Sequence, residues 1–348
     1  GGDEFAVILP GAHDAAVAVA RRLVDSLNIP FSIGDRNIDL RASIGVSTFP
    51  DQAELASDLV QNADLALYAA KRAGLSTVRA FTPSLRAEAQ RQVSMLREAR
   101  TALDRGWIEP FYQPKIALET GRVAGFEALL RWRHPNAGLQ LPATIASAFD
   151  DTELAEHLGE AMVEAVLADI RLWLDCGVGP GKVAINASAA EFRKPGYAER
   201  LLERVWAHGV PANLLELEIT ETAFLGDSAE NVLFALQMLR TAGMTIALDD
   251  FGTGFSSLSH LRSLPVDTIK IDRSFVAGLV DCAEDRAIVE AVLRLGEALG
   301  MTTVAEGVET QAQAEYLRLH GCTIAQGFLY APAVAATEAP SAYEADYS

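Results

Sequence analysis

The sequence predicts an α/β fold: a closed (β/α)8 barrel of the TIM type, preceded by a small α+β fragment and a connecting helix. Three observations support this prediction. The 348 residues are enough for a barrel of about 250 residues and a smaller unit. Half of the residues are apolar, so a large core can form. After Gly106, strand-like segments alternate with amphipathic helix-like segments, as in a parallel barrel.

Composition and charge limit the classes of function. The net charge of −18 argues against general binding of duplex nucleic acid, because a phosphate-binding surface needs an excess of cations. Cys176, Cys282 and Cys322 are widely spaced, which gives no zinc signature and suits a reducing compartment. No apolar run is long enough to span a bilayer, and no signal peptide is present. We therefore expect a cytoplasmic chain without membrane contact of its own. Because it begins at Gly1 without a methionine, within a motif, we also expect a fragment of a longer protein, and that protein could be anchored in a membrane.

The first 82 residues have an α+β pattern and are predicted to form a small domain, residues 1–82. Its predicted elements are a strand over Ala6–Leu9, a helix over Ala15–Leu27, strands over Pro30–Ile33 and Ile38–Thr48 joined at Gly34-Asp35, and a helix over Leu55–Arg72. About eighty residues give only a small core.

Residues 83–105 are predicted to form a connecting helix. Leu85, Ala89 and Val93 begin an apolar stripe at helical spacing, and arginines occupy the remaining positions. These arginines favour a solvated face, although packing against a partner is the open alternative.

Residues 106–340 are predicted to form the barrel. Its strand candidates are Pro110–Leu118, Val123–Trp132, Val183–Asn186, Leu214–Thr220, Thr245–Asp249, Thr268–Ile271, Thr302–Ala305 and Thr323–Phe328. Thr310 and Gln313 have the spacing of a capping box at the start of one intervening helix. Val232, Leu236 and Leu239 form the apolar stripe of another.

Polar side chains occur at or near the ends of successive predicted strands. They are Glu127, Asn186, Glu218, Asp249 with Asp250, Lys270, Glu306 and Gln326. Because the carboxyl ends of barrel strands converge on one face, we expect these residues to share one acidic site. Each has a structural alternative: Glu127 could cap a helix, Asn186 could close a turn, and Lys270 could be a surface lysine.

Several carboxylates in one site repel each other unless cations balance them. Oxygen ligands from Asp, Glu and Asn suit Mg²⁺ or Mn²⁺, and a shared carboxylate can hold two ions about 3.5–4 Å apart. We therefore predict two divalent ions. Lys270 would stabilise an attacking hydroxide or the charge of a phosphate.

The N-terminal segment resembles the second half of a GGDEF diguanylate cyclase domain. The matching segments are Gly1-Gly2-Asp3-Glu4-Phe5, Ala42-Ser43-Ile44-Gly45-Val46 and Ala63-Asp64-Leu65-Ala66-Leu67-Tyr68-Ala69-Ala70-Lys71. The resemblance implies that Glu4 would help to hold a metal, but other parts of that nucleotide site precede the motif in the family. We therefore expect no cyclase activity from this chain. The alternative for Asp3 and Glu4 is an exposed acidic turn.

The segment from about Arg105 to Pro332 resembles an EAL domain, a phosphodiesterase specific for cyclic di-GMP. An ordered set of motifs carries the resemblance: Tyr112-Gln113-Pro114, Glu127-Ala128-Leu129-Leu130-Arg131-Trp132, Glu218-Ile219-Thr220-Glu221, Asp249-Asp250-Phe251-Gly252-Thr253-Gly254, Lys270-Ile271-Asp272, Ala305-Glu306-Gly307-Val308-Glu309 and Gln326-Gly327-Phe328.

This resemblance implies a role for each matched residue. One metal would be held by Glu127, Asn186, Glu218 and Asp249, and the second by Asp249, Asp250 and Glu306. Lys270 would contact the nucleophilic water. The substrate or the metal ligands would be contacted by Gln113, Leu129, Arg131, Glu309 and Gln326. Glu221 would tether the loop from Asp250 to Ser257, which in the family links metal binding to dimer contacts.

The reaction implied is hydrolysis of cyclic di-GMP to linear pGpG, and the resemblance also suggests a homodimer. Two alternatives are left open. A module that binds cyclic di-GMP without cutting it would return intact ligand. A sugar-processing barrel with paired carboxylates would explain neither Lys270 nor the adjacent Asp249 and Asp250.

Overall fold

The computed structural model describes residues 4–33, 36–74, 76–224, 229–252, 261, 264–343, 345 and 347. The chain divides into two compact units, Gly1–Ser94 and Met95–Ser348. Several predicted features lie outside the described residues: the motif residues 1–3, the turn at Gly34-Asp35, and residues 253–257 of the predicted loop. Among the helices that the structure describes, none is long and apolar enough to cross a membrane.

The described residues of the first unit form two complete helices, two small sheets and the start of a third helix. Its helices are α1 (His13–Leu27) and α2 (Ala56–Arg72), and its strands are β1 (Phe31–Ile33), β2 (Arg36–Ile38), β3 (Ile44–Val46) and β4 (Val78–Ala80). β1 pairs antiparallel with β2, whereas β3 pairs parallel with β4. The predicted connecting helix is α3 (Pro83–Asp104).

Two strand predictions for the first unit are wrong. Residues 6–9 form no strand, because no described segment pairs with them, and Ile8 is 95% exposed. The predicted strand Ile38–Thr48 is broken into β2 and β3, since β3 takes β4 as its partner. Gly45 explains the close packing of β3: an added Cβ would lie 2.1 Å from the carbonyl oxygen of Ala63 in α2.

The second unit is a closed barrel of eight strands, as predicted. Its strands are β5 (Ile108–Ala117), β6 (Val123–His134), β8 (Lys182–Ala187), β9 (Leu215–Thr220), β10 (Thr245–Phe251), β11 (Thr268–Ile271), β12 (Thr302–Ala305) and β13 (Ile324–Ala325). They pair in this order, and β13 pairs with β5 to close the ring. The additional strand β7 (Gly138–Gln140) pairs with β6, and β14 (Val334–Ala335) pairs with β5.

The barrel departs from a regular βα repeat at its first strand. β5 runs antiparallel to both of its barrel neighbours, β6 and β13, whereas the other neighbouring barrel strands pair in parallel. A tight turn joins β5 to β6, and Gly121 in this turn has φ +67°. Parallel strands need a crossover of about a dozen residues or more, so this short connection produces a hairpin instead.

Helices surround the barrel. They are α4 (Ser147–Asp150), α5 (Thr152–Asp175), α6 (Tyr197–Ala207), α7 (Ala229–Thr241), α8 (Arg273–Ala277), α9 (Ala283–Leu299), α10 (Gln311–Leu319) and α11 (Ala339–Tyr343). The predicted capping box of α10 is confirmed, with reciprocal bonds between Thr310 and Gln313. The predicted apolar stripe of α7 is buried, at Val232, Leu236 and Leu239.

The strands separate an apolar layer from a polar interior. In β9, Leu215, Leu217 and Ile219 belong to the main apolar core. Glu216 and Glu218 alternate with them and are also buried, and each contacts a lysine from another barrel strand. Alternate residues of a strand point to opposite faces, so these glutamates line the barrel interior. The candidate site lies in this interior.

Candidate metal centre

Lys270 lies at the centre of a cluster of four carboxylates. Its Nζ is 2.6 Å from Glu218 Oε2, 2.6 Å from Glu306 Oε1, 3.1 Å from Asp249 Oδ1 and 3.6 Å from Glu127 Oε2. These residues come from β6, β9, β10, β11 and the segment that follows β12. The Lys270 side chain is 1% exposed, so the surface alternative for this residue is wrong.

Two amide side chains donate hydrogen bonds to Glu127, and a third contacts one of them. Asn186 donates a hydrogen bond from Nδ2 to Glu127 Oε1 at 2.9 Å, and Gln326 donates from Nε2 to Oε2 at 2.7 Å. Gln326 Nε2 also lies 3.0 Å from Gln113 Oε1, and Gln113 donates to the carbonyl oxygen of Ala331. Both oxygens of Glu127 are therefore fixed in direction.

A second group of carboxylates lies beside Lys270. Asp249, Asp250 and Glu306 each offer an oxygen, and these three oxygens lie within 4.8 Å of one another. Asp250 has φ +53°, an uncommon backbone conformation for a residue with a side chain. Its N–H donates to Asp249 Oδ1 at 3.0 Å. The two adjacent aspartates thus contribute to one site although they are neighbours in a strand.

The pKa values of three carboxyl groups reflect the crowding of negative charge. Burial and the neighbouring Glu127 raise the pKa of Glu218 well above its usual value, against the opposing effect of Lys270 and Lys115. Burial raises the pKa of Glu306 to about 7, and Asp249 adds to this shift while Lys270 opposes it. Burial, Asp249 and Asp272 together raise the pKa of Asp250 to about 6. The anionic forms of these groups are therefore less favoured than in an ordinary carboxyl group, and further positive charge nearby would favour them.

Glu127 and Lys270 are shifted in favour of their charged forms. Burial by itself would raise the pKa of Glu127, but Lys270 and the hydrogen bonds from Asn186 and Gln326 lower it to about 2. Burial would likewise lower the pKa of Lys270, whereas the surrounding carboxylates raise it well above its usual value. Lys270 is thus an ammonium at neutral pH.

The arrangement fits divalent cations. One ammonium faces four carboxylates, which leaves an excess of negative charge in a buried site. Glu218 Oε1 is buried and makes no hydrogen bond to the described residues, so it has the capacity to ligate an ion. Oxygen donors from carboxylates and an amide are the set that Mg²⁺ and Mn²⁺ prefer.

Within the described part of the chain, the other predicted residues make no hydrogen bond to the side chains around Lys270. Arg131 still interacts with them electrostatically: burial lowers its pKa, and the Glu127 carboxylate opposes that shift. Leu129 and Arg131 are half-buried on β6, and Arg131 Nη1 donates to the carbonyl oxygen of Leu130. Glu309 is exposed beyond β12. Glu221 Oε1 accepts a hydrogen bond from the N–H of Gly252 at 3.2 Å. That contact lies at the beginning of the loop that Glu221 was expected to tether.

Lys115 and Glu216 are buried polar residues that the sequence patterns did not single out. Lys115 Nζ lies 2.6 Å from Glu216 Oε1, and Thr268 Oγ1 donates a hydrogen bond to Glu216 Oε2 at 3.0 Å. Each is two residues from a predicted site residue, Gln113 or Glu218, within the same strand. Strand alternation would have placed them on the interior face.

Fold and site together define a TIM-type barrel with an acidic, lysine-centred site at the strand ends. The family model described as "EAL domain" matches residues 96–333, and the chain belongs to this family. The model described as "Diguanylate cyclase, GGDEF domain" matches residues 1–77. Both resemblances drawn from the motifs are confirmed.

Two curated relatives come from Pseudomonas aeruginosa. The "Bifunctional diguanylate cyclase/cyclic di-GMP phosphodiesterase MucR" is 38% identical over 330 residues, which cover 94% of this chain and 48% of the relative. The "Cyclic di-GMP phosphodiesterase NbdA" is 34% identical over 350 residues, 99% of this chain and 44% of the relative. The chain thus spans about half the length of these relatives or less.

Solved structures show the same barrel. The structure described as "PaMucR Phosphodiesterase, c-di-GMP complex" matches with a TM-score of 0.67 and 38% identity. The match covers 70% of this chain and 99% of the other chain. The structure of the "EAL Enzyme Bd1971", in its cAMP and cyclic-di-GMP bound form, has a TM-score of 0.69 and 28% identity. That match covers 74% of this chain and 70% of the other.

Proposed function

We propose that this chain hydrolyses cyclic di-GMP to linear pGpG with two divalent ions, Mg²⁺ or Mn²⁺. The observation that carries the proposal is the cluster of four carboxylates around Lys270, drawn from separate barrel strands. Membership of the EAL family and relatives named as cyclic di-GMP phosphodiesterases support the choice of substrate.

The proposed metal ligands form two overlapping groups. One ion would be held by Glu127, Asn186, Glu218 and Asp249, and the other by Asp249, Asp250 and Glu306. When bound, such a pair of ions supplies an acidified water and offsets negative charge on the scissile phosphate. Asn186 and Gln326 keep Glu127 ionised and oriented through the hydrogen bonds described above.

The remaining side chains would act on the water and the substrate. Lys270, as an ammonium, would stabilise the negative charge of the attacking oxygen and of the phosphate. Gln113, Leu129, Arg131, Glu309 and Gln326 are the proposed substrate contacts. The reaction consumes one water and opens one of the two phosphodiester bonds of the cyclic dinucleotide.

A binding module that leaves cyclic di-GMP intact is the main alternative. Such a module has no need for metal ligands, whereas every metal ligand implied by the EAL resemblance is present in this chain. The sugar-processing alternative leaves both Lys270 and the Asp249–Asp250 pair without a role. Metal-assisted hydrolysis is therefore the better explanation.

Incubation with cyclic di-GMP and Mg²⁺ or Mn²⁺, with chromatography of the products, tests the proposal. We expect pGpG in the presence of metal and none after chelation. Recovery of bound but intact cyclic di-GMP would identify the binding module instead. Because the chain covers only part of its relatives, these assays concern this segment and not a longer protein.

The absence of cyclase activity from this chain stays a prediction. Formation of cyclic di-GMP from GTP would contradict this. We place the protein in the cytoplasm, in line with its three free cysteines. The homodimer suggested by the EAL resemblance stays a prediction, which light scattering on the purified chain can check.

A further inference from the structure

A second buried ion pair lies in the barrel interior, next to the cluster around Lys270. Lys115 on β5 and Glu216 on β9 are 2.6 Å apart, and their side chains are 4% and 6% exposed. Glu216 also accepts hydrogen bonds from Thr268 and Thr245, at 3.0 Å and 3.5 Å. Burying two charges costs free energy even when they are paired, so such a pair calls for an explanation beyond stability.

Lys115 also faces the candidate metal centre. Its Nζ lies 3.7 Å from Glu218 Oε1, the buried oxygen that accepts no hydrogen bond from the described residues. The other oxygen of this carboxylate, Oε2, is 2.6 Å from Lys270 Nζ. Glu218 therefore lies between two ammonium groups, with one ammonium facing each oxygen.

Strand geometry explains this position. Gln113 lies opposite Glu127 in the pairing of β5 with β6, and Lys115 lies opposite Gly125, one interior position further from the strand ends that carry the site. On β9, Glu216 and Glu218 are two residues apart and face the same side. Lys115 thus approaches both glutamates from across the barrel.

Lys270 does not contact Glu218 alone. Its ammonium is also 2.6 Å from Glu306 and 3.1 Å from Asp249, so its donors are shared among several carboxylates. An ammonium has three donors. Within the described part of the chain, Lys115 is the other cation within 4 Å of Glu218.

We propose that Lys115 is a positioning residue for the metal centre: it holds the Glu218 carboxylate in the orientation needed for metal binding. This inference rests on the proposed function, because Glu218 is a proposed metal ligand. The competing explanation is that Lys115 only neutralises Glu216 and stabilises the barrel.

Two variants separate these explanations, Glu216→Gln and the double variant Lys115→Met/Glu216→Gln. Both remove the charge at position 216 and keep an acceptor for Thr268, and they differ only at Lys115. The measurement is Mn²⁺ affinity by calorimetry on the full chain without substrate, together with thermal unfolding of the metal-free variants.

We expect Glu216→Gln to bind Mn²⁺ within about threefold of the wild type. The double variant should bind at least about tenfold more weakly, since loss of a partner that orients a metal ligand costs about 10–100-fold. Loss of a positive charge would by itself favour binding of a cation. A weaker affinity therefore reports the orientation of Glu218 and not the net charge.

Equal Mn²⁺ affinity of the two variants would overturn the role of Lys115 while leaving the proposed function intact. Absence of Mn²⁺ binding by the wild type would instead overturn the proposed function, and the inference with it. Lys115→Gln in the same background provides a second test, because it keeps a polar side chain but removes the ammonium. The same tenfold loss is expected, and retained affinity would contradict the proposal.

Discussion

At the scale of single residues, Lys270 has the environment that most constrains the chemistry. Its ammonium lies within 3.6 Å of four carboxylates and is 1% exposed. The surrounding negative charge raises its pKa well above the usual value despite burial, so it retains its proton. A buried ammonium of this kind stabilises negative charge, and the remaining excess of carboxylates favours binding of cations.

Asp249→Asn is expected to lower the rate of cyclic di-GMP hydrolysis by at least about a hundredfold, since even partners outside the ligand set change activity by about 10–100-fold. Asp249 belongs to both proposed ligand groups, so its loss affects both ions. The exposed Asp281→Asn makes the same change of charge and should retain the wild-type rate. A rate near that of the wild type for Asp249→Asn would remove this residue from the site.

At the scale of elements, close backbone contacts hold the site in place. Gln326 is followed by Gly327, and an added Cβ at Gly327 would lie 2.1 Å from the backbone oxygen of Val308. The same two segments exchange a hydrogen bond, from Val308 N–H to the carbonyl oxygen of Gln326 at 3.0 Å. The segments after β12 and β13 therefore pack backbone against backbone beside the candidate metal centre.

Gly327→Ala is expected to destabilise the barrel by at least about 2 kcal/mol, because backbone atoms cannot move aside as a flexible side chain does. Activity should fall as well, since Gln326 would lose its position relative to Glu127. Gly179→Ala is the matched control, because nothing lies within 4 Å of its added Cβ. Urea unfolding of both variants measures this difference. Equal free energies of unfolding would contradict the prediction, because they would show that the backbone adjusts to the added Cβ at little cost.

Helix α5 packs closely against the segment that follows β8. Glu191 is 6% exposed and lies against Gly159, where an added Cβ would be 2.1 Å from Glu191 Oε1. Burial raises the pKa of Glu191 to about 7, and Glu156 and Glu160 add to this shift against the hydrogen bonds from Ser188. The folded chain therefore prefers the protonated carboxyl group.

This shift predicts a loss of stability with rising pH. Below the unfolded-state pKa of about 4.5 the contribution of Glu191 is fully present, and it is lost as pH rises through about 7. The loss amounts to at most roughly 3 kcal/mol. Glu191→Gln should reduce the decrease in unfolding free energy between pH 5 and pH 8, as measured by urea unfolding. Glu203 is exposed, so Glu203→Gln should show the same decrease in unfolding free energy with pH as the wild type. An equal decrease for both variants would show that Glu191 is not its cause.

At the scale of the whole chain, the barrel carries a polar interior inside an apolar layer. Charged residues such as Glu216, Glu218 and Lys270 face inward, while their strand neighbours pack against the helices. The net charge of −18 adds a general preference for cations over phosphates. The proposed ions would thus contribute both to the reaction and to the stability of the fold.

Saturating Mn²⁺ or Mg²⁺ is expected to raise the melting temperature of the chain. An ion that binds only the folded state stabilises it by about 2.7 kcal/mol at a hundredfold excess over its Kd. Chelation should reverse this shift and abolish hydrolysis. Thermal scans with and without metal check the prediction, with Asp249→Asn as the variant in which the shift should shrink. Hydrolysis that persists after chelation would contradict the proposed role of metal.

The sequence by itself determined most of the local elements of the barrel and the residues that gather around Lys270. The bounds of Thr268–Ile271 and Thr302–Ala305 were predicted without error, as was the capping box of α10, because these features depend on neighbours along the chain. The motifs also identified the family. The break in Ile38–Thr48 was missed, since it depends on pairing between β3 and β4.

Only the tertiary structure decided the direction of β5, the positive φ of Asp250, and the contact between Lys115 and Glu218. Periodicity shows which face of a strand is buried, but it does not show which strand lies opposite. Lys115 and Glu216 are 101 residues apart in sequence. Their pairing results from closure of the barrel, and no local pattern in either strand specifies it.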